Sequence, residues 1–369
     1  MTEASAPAES VADAGDVVAD TIARIAAPRD DVRRRVEALL DQKTKPRGSL
    51  GRLEELACRI GAIRNEVPTR RLHAAVVVAA GDHGVAAHGV SAYPQNVTAQ
   101  MLSNFDAGGA AACVLARQVA ARLVVVDVGV IDPADTRGIR HDVVDGVCIT
   151  DDMTTGPAMA QPTVAALLAR GIALADELSD QGIEILAVGD MGIGNTTAAS
   201  AISAALLPAD PEHVCGPGTG LDDDGVRHKV DVVRRSLAAN GLDALGAARD
   251  PTTVLAAVGG LEINYLVGVI LGSAVRRTPV LLDGFVTGAA ALAAARLAPP
   301  AVHSMIAGTR SPEPGHALVL DELGLEPLLD LRLRLGEGSG AALALSLVNA
   351  SIALLSDMAT FDSAGVSRA

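Results

Sequence analysis

The sequence has no tryptophan, and only two tyrosines and three phenylalanines in 369 residues. With Tyr93, Phe105, Tyr265, Phe285 and Phe361 as the whole aromatic set, base-stacking platforms for single-stranded nucleic acid are excluded. Positive charge is also in short supply. The formal net charge of −14 argues against a nucleic-acid partner. Cysteine is sparse: Cys58, Cys113, Cys148 and Cys215 form no C-x-x-C pair, so no zinc or thioredoxin-type reading arises. A reducing, cytoplasmic location follows as the simple expectation. The N-terminus lacks the basic and apolar regions of a secretory signal. The longest charge-free apolar stretch follows Gly338 through Leu355. It contains Gly, Ser and Asn and reads as a buried helix, so no membrane span is expected. Walker A, H-E-x-x-H, G-x-S-x-G and G-x-G-x-x-G motifs are missing as well.

What is present is aliphatic. Almost half the chain (49%) is hydrophobic, so the core must be built from Ala, Val, Leu and Ile. A chain of this length holds one large core, with room for a smaller domain. Residues 1–20 read as a disordered tail. Residues 20–42 read as two helices broken at Pro28, and a third helix starts near Ser49. Five Val/Ile-rich runs then alternate with Gly-rich turns and Ala/Leu-rich helices: 73–80, 122–130, 183–189, 277–284 and 301–308. Strands apolar on both faces with helices between them imply an α/β fold whose parallel sheet is covered on both sides. Ligands of such sheets bind beyond the carboxyl ends of the strands, and the unusual residues of this chain follow those runs.

Several constellations carry candidate chemistry. GDMGIGNTT (189–197) follows a strand and opens a helix. Its Gly192 and Gly194 admit close backbone approach, and Asn195, Thr196 and Thr197 supply caps or donors. This suits a phosphate or carboxylate, or simply a tight strand–helix turn. In GPGTGLDDDGVRHK (216–229), Asp222 to Asp224 read as a solvated loop. Lys229 reads either as a surface lysine or as a cation for a substrate anion. GDHGVAAHGVSAYPQNVTAQM (81–101) holds His83 and His88 without a third nearby metal ligand. Its Tyr93-Pro94 is either a wall for a flat ring or a turn before a helix starting near Asn96. Glu337 sits between Gly336 and Gly338 at the edge of an apolar run. It either complements a helix dipole or serves as a base in an apolar pocket, where burial raises its pKa and helix N–H groups lower it.

Together these segments resemble the nicotinate-nucleotide–dimethylbenzimidazole phosphoribosyltransferases of cobalamin biosynthesis. The motifs that carry the resemblance are KPRGSLGRLEELA, GDHGVAAHGVSAYPQNVTAQM, VGDMGIGNTTAA, GTGLDDDGVRHK, GGLEI, PVLLDGFVTGAA, RSPEPGH and LRLGEGSGAALAL. The resemblance implies a three-layer αβα architecture with a mainly parallel, Rossmann-like sheet at 66–339. It also implies a small helical domain built from both chain ends, 21–65 and 340–369, and a homodimer. The implied activity transfers the phosphoribosyl group of nicotinate mononucleotide to 5,6-dimethylbenzimidazole, with no cofactor and no metal. Glu337 is the implied general base. Ser311 and the Gly-rich loops, with Gly336 and Gly338, would help hold the ribose phosphate, and Lys229 would lie near. Tyr93, Pro94, Gln100 and Met101 would line the base pocket. One departure is visible: the family commonly has Glu where this chain has Asp190, shorter by one carbon–carbon bond of about 1.5 Å. Two rival readings are a non-catalytic ligand-binding protein in which Glu337 only caps a helix, and an oxidoreductase using the 189–197 turn for a dinucleotide. The missing G-x-G-x-x-G argues against the oxidoreductase.

Overall fold

The computed structural model describes residues 11–243 and 249–367. The chain opens with helices α1 (Val11–Arg24), α2 (Asp30–Asp41) and α3 (Arg52–Arg64), then strand β1 (Ala74–Gly81). Next come α4 (Val97–Asp106), α5 (Ala111–Gln118), β2 (Arg122–Gly129), the two-residue β3 (Arg140–His141) and α6 (Gln161–Asp180). The middle continues with β4 (Ile185–Met191), α7 (Asn195–Leu206), the short α8 (Pro211–Val214), α9 (Asp223–Ala239), α10 (Pro251–Val258) and α11 (Leu261–Val275). β5 (Val280–Leu282), α12 (Phe285–Leu297), β6 (Met305–Ala307), α13 (Pro314–Leu323), α14 (Ser339–Asp357) and α15 (Phe361–Ala364) complete it.

All strands pair in parallel, in the order β3-β2-β1-β4-β5-β6. The alternation of strand side chains explains the three layers. In β1, Ala75, Val77 and Ala79 enter one core with α6, α7, α11 and α12. Val76, Val78 and Ala80 enter the opposite core with α4, α5 and α14. The scarcity of aromatics is met by close approach between helices. A Cβ on Gly171 of α6 would lie 2.1 Å from the Tyr265 carbonyl oxygen, and one on Gly268 of α11 would lie 2.1 Å from that of Leu168.

The N-terminal tail expectation needs correction. Residues 11–20 belong to α1, whose Ala14, Val18 and Thr21 stripe is buried and continues to Ile25 just past its end, with Val18 and Ile25 in the main core. Residues 1–10 lie outside the described residues. A separate apolar cluster joins Val32, Val36 and Leu40 of α2 to Ala57 and Cys58 of α3 and Leu355 of α14. Lys43 ties the same two chain ends together, donating from Nζ to the Met358 carbonyl at 2.7 Å. Helix α14 runs unbroken from the sheet to this cluster. It is the one described helix long and apolar enough to cross a membrane, and it is a core helix: Ala341, Ala342, Ala344, Leu345, Val348 and Ile352 are all buried against the sheet.

Candidate active site

β4, β5 and β6 end side by side, and the residues that follow them face one cleft of about 290 Å³. Asp190 and Met191 end β4, Asp283 and Gly284 follow β5, and Thr309 and Ser311 follow β6. The 333–337 segment closes one side. Tyr93, Val97 and Met101, beside Leu333 and Leu335, make an apolar wall, and Gly192, Asn195 and Thr196 lie at the start of α7.

Glu337 is 5% exposed. It is the middle of three consecutive left-handed residues, with φ of 81° at Gly336, 61° at Glu337 and 74° at Gly338. Such a conformation is unusual for a residue with a Cβ. The loop is pinned from both sides. The Glu337 N–H donates to the Asp190 carbonyl at 3.1 Å. A Cβ on Gly189 would meet the Gly338 nitrogen at 2.1 Å, so only glycine lets β4 approach this closely. The carboxylate does not serve its own helix: Gly338 is the N-cap of α14. Instead Oε2 faces the N-terminus of α5, 3.5 Å from the Ala112 N–H. Burial raises the Glu337 pKa, opposed by the amides of Ala112 and Ala111.

Asp190 and Asp283 lie beside Glu337 at the ends of β4 and β5. The Asp283 carboxylate accepts from the N–H groups of Gly340 at 2.7 Å, Ala341 at 3.1 Å and Gly338 at 3.2 Å, so it caps α14 from β5. Burial nevertheless pushes it up to about 7, with those amides pulling the other way. Asp190 accepts from Asn195 Nδ2 at 2.8 Å. Its pKa is raised well above the ordinary value by burial, then by the nearby charges of Asp283 and Glu262. On the opposite wall, Ser311 is held by His316, whose Nδ1 accepts the Ser311 N–H at 2.9 Å. Burial drives His316 down to about 4, which keeps this nitrogen free to accept. The Ser311 hydroxyl accepts from the Glu313 N–H at 3.3 Å.

Of the residues singled out in the sequence, Tyr93, Met101, Asp190, Gly192, Asn195, Thr196, Ser311, Gly336 and Glu337 line the cleft. Five do not. Lys229 is fully buried, which corrects its reading as a surface lysine. Its Nζ donates to Thr196 Oγ1 at 2.8 Å and to the Gly216 carbonyl at 3.3 Å, behind the wall. Gly194, with φ of 98°, faces His83 and Ala86. Gly338 faces Gly189 and Val76 beneath the loop. Pro94 belongs to the exposed turn before α4, where its carbonyl accepts the Val97 N–H. Gln100 is exposed because α4 turns Val97 and Met101, four residues apart, toward the cleft. Asp222 caps α9, accepting from the Gly225 N–H at 2.8 Å, and the Asp222–Asp224 run is exposed as expected. The two histidines diverge: His83 pairs with Glu262 and His88 with Asp152.

The phosphoribosyltransferase family model matches residues 25–366. The chain is a member of the nicotinate-nucleotide–dimethylbenzimidazole phosphoribosyltransferase family. The enzyme of that name from Desulforudis audaxviator is 50% identical over 355 residues, covering 96% of this chain and 99% of its own. Its namesake from Chloroflexus aurantiacus is 49% identical, covering 95% and 99%. A crystal structure of the Thermus thermophilus enzyme superimposes with a TM-score of 0.83 at 44% identity, covering 92% of this chain and 99% of that one. For this phosphoribosyltransferase, the site residues that the sequence left unmarked include Asp283, Glu313, Val97, Phe285 and the 333–335 segment. Position was the available signal for Asp283 and Glu313: each follows a strand within a quoted motif.

Proposed function

We infer that this cleft transfers the phosphoribosyl group of nicotinate mononucleotide to 5,6-dimethylbenzimidazole, giving α-ribazole 5′-phosphate and nicotinate for the lower ligand of cobalamin. Family membership supports the reaction. The observation that carries it in this chain is one buried carboxylate, Glu337, between an apolar wall suited to a flat ring and a helix start suited to an anion.

The donor carries a pyridinium, so nicotinate departs as a neutral ring and needs no general acid. The benzimidazole attacks through its bare nitrogen. Positive charge then grows on the ring, its remaining N–H becomes acidic, and Glu337 removes that proton. Attack opposite the leaving group turns a β donor into an α product. The Glu337 carboxylate also favours the oxocarbenium-like charge that develops on the ribose. The phosphate is received by the 192–196 turn and the Ser311 hydroxyl, and the base by Tyr93, Val97, Met101 and Leu335. Lys229 supports Thr196 from behind and extends the same positive field. The shorter Asp190 acts through Asn195 and the loop that holds Glu337.

Two outcomes test these roles. Ser311→Ala is expected to raise KM for nicotinate mononucleotide about tenfold, the scale of one hydrogen bond to a charged group. KM for the base should stay within about twofold, and equal effects on both substrates in steady-state kinetics refute the phosphate role. The pH profile tests the base. Because the Glu337 pKa is raised, the active carboxylate is lost as pH falls through a value above the ordinary 4.5. The acid limb of kcat should lie above that value in the wild type and vanish in Glu337→Gln. An acid limb at or below it removes the burial argument.

A homodimer in a reducing, cytoplasmic setting completes the reading. The buried free thiols of Cys58, Cys113 and Cys215 suit that setting. Sedimentation velocity checks the dimer.

A further inference from the structure

In sheets of this strand order, ligands enter at the switch point between the carboxyl ends of the two central strands, here β1 and β4. That point is filled. His83, two residues past β1, meets Glu262 of the first turn of α11 at 2.7 Å between Nε2 and Oε1. The two side chains are 1% and 0% exposed, and neither lines the cleft. Glycines from separate segments make room for them. A Cβ on Gly192 would lie 3.2 Å from Glu262 Oε1 and 3.3 Å from His83 Nε2. One on Gly81 would lie 3.0 Å from Glu262 Oε2, and one on Gly260 would lie 2.4 Å from His83 Cε1. A Cβ on Gly194 would rest 3.3 Å from His83 Cβ. The pair is therefore the floor under the 192–194 turn.

An apolar pair of the same volume would fill this space at least as stably, since burying two charges costs much of what their attraction returns. What the ionic pair adds is a fixed geometry. Burial works against the His83 imidazolium, but the charge and hydrogen bond of Glu262, with Asp82 beyond, hold its pKa above the ordinary value. Glu262 Oε2 is buried with no hydrogen-bond partner among the described residues, so His83 is its carboxylate's sole side-chain anchor there.

We propose that His83 and Glu262 are a positioning pair for the mononucleotide: their hydrogen bond fixes the height of the 192–194 turn and so governs capture of the phosphate, not of the base. This rests on the turn receiving the phosphate, as inferred above.

Glu262→Gln keeps the volume and a hydrogen bond but removes the charge. It is expected to raise KM for nicotinate mononucleotide about tenfold, the scale of one charge-assisted bond. KM for dimethylbenzimidazole and kcat should stay within about twofold. His83→Gln should behave alike, and the double variant should be no worse than either single one, because both act through one contact. Should either single variant fail to fold, the double variant, which leaves a neutral amide pair, carries the same measurement. An equal rise in both KM values, or a lower melting temperature with the mononucleotide KM unchanged, overturns the proposal. The reaction itself is judged separately. Wild-type protein that makes no α-ribazole 5′-phosphate refutes the assigned activity. Equilibrium dialysis of nicotinate mononucleotide alone against wild type and Glu262→Gln then still decides the role of the pair.

Discussion

Glu337→Gln is expected to lower turnover by about 10²–10⁴-fold, the usual contribution of a general base, with both substrates still bound. The amide matches the carboxylate in size and keeps an oxygen toward the Ala112 N–H, so the loop retains its contact with α5. What it loses is the capacity to take the benzimidazole proton. The same substitution removes a negative charge from beside the developing oxocarbenium, and both losses fall on kcat. Single-turnover kinetics, with mononucleotide binding measured in parallel, separate this from a binding defect. An unaltered turnover number in folded Glu337→Gln protein removes Glu337 from the mechanism and makes Asp190 the next candidate.

Asp283→Ala is expected to damage both stability and catalysis. The N–H groups of Gly338, Gly340 and Ala341 converge on this one carboxylate. Without it they have no acceptor in a buried place. We expect a loss of about 3 kcal/mol or more by urea unfolding, since three unsatisfied buried amides cost about 1–3 kcal/mol each. Turnover should fall too, because Gly338 is the residue next to the base. Asp283→Asn should recover most of the stability through its remaining carbonyl oxygen. The two should also differ in pH response. The folded pKa of Asp283, about 7, lies above the ordinary 3.8. The native state therefore binds the extra proton between those values, and this group's contribution to stability declines as pH rises through that window. Asp283→Asn should lack this decline. Wild-type urea midpoints and wild-type turnover in Asp283→Ala would refute the anchoring role.

The parts of the fold that sequence made legible share one property: their partners are local or their pattern is repetitive. β1, β2 and β4 carry apolar residues on both faces over seven or eight residues, long enough to stand out. β3 is only Arg140–His141 and offers no apolar run. The 301–308 run gives just Met305–Ala307 as strand, because Pro299 and Pro300 start a 3-10 turn that takes its first half. The α1 stripe was present in the sequence, but Ala and Asp around it lowered its contrast. Glu337 and Asp190 could be found because glycines frame them. Asp283 caps a helix 55 residues away and His83 pairs across 179 residues, distances at which a single sequence carries no pattern. Lys229 was misplaced by the opposite effect: its exposed neighbours Arg227 and His228 made a buried lysine look like part of a solvated face.

The left-handed backbone at Glu337 sets selection for stability against selection for activity at a single codon. Holding a residue with a Cβ in that region costs on the order of 1–3 kcal/mol, and glycine would relieve it. A screen for heat-resistant variants that never measured turnover would thus be drawn to the position where the proton is removed. The glycines on either side already take the conformation at little cost. The carboxylate between them is where the chain departs from its most relaxed sequence, and chemistry, not folding, is what keeps it there.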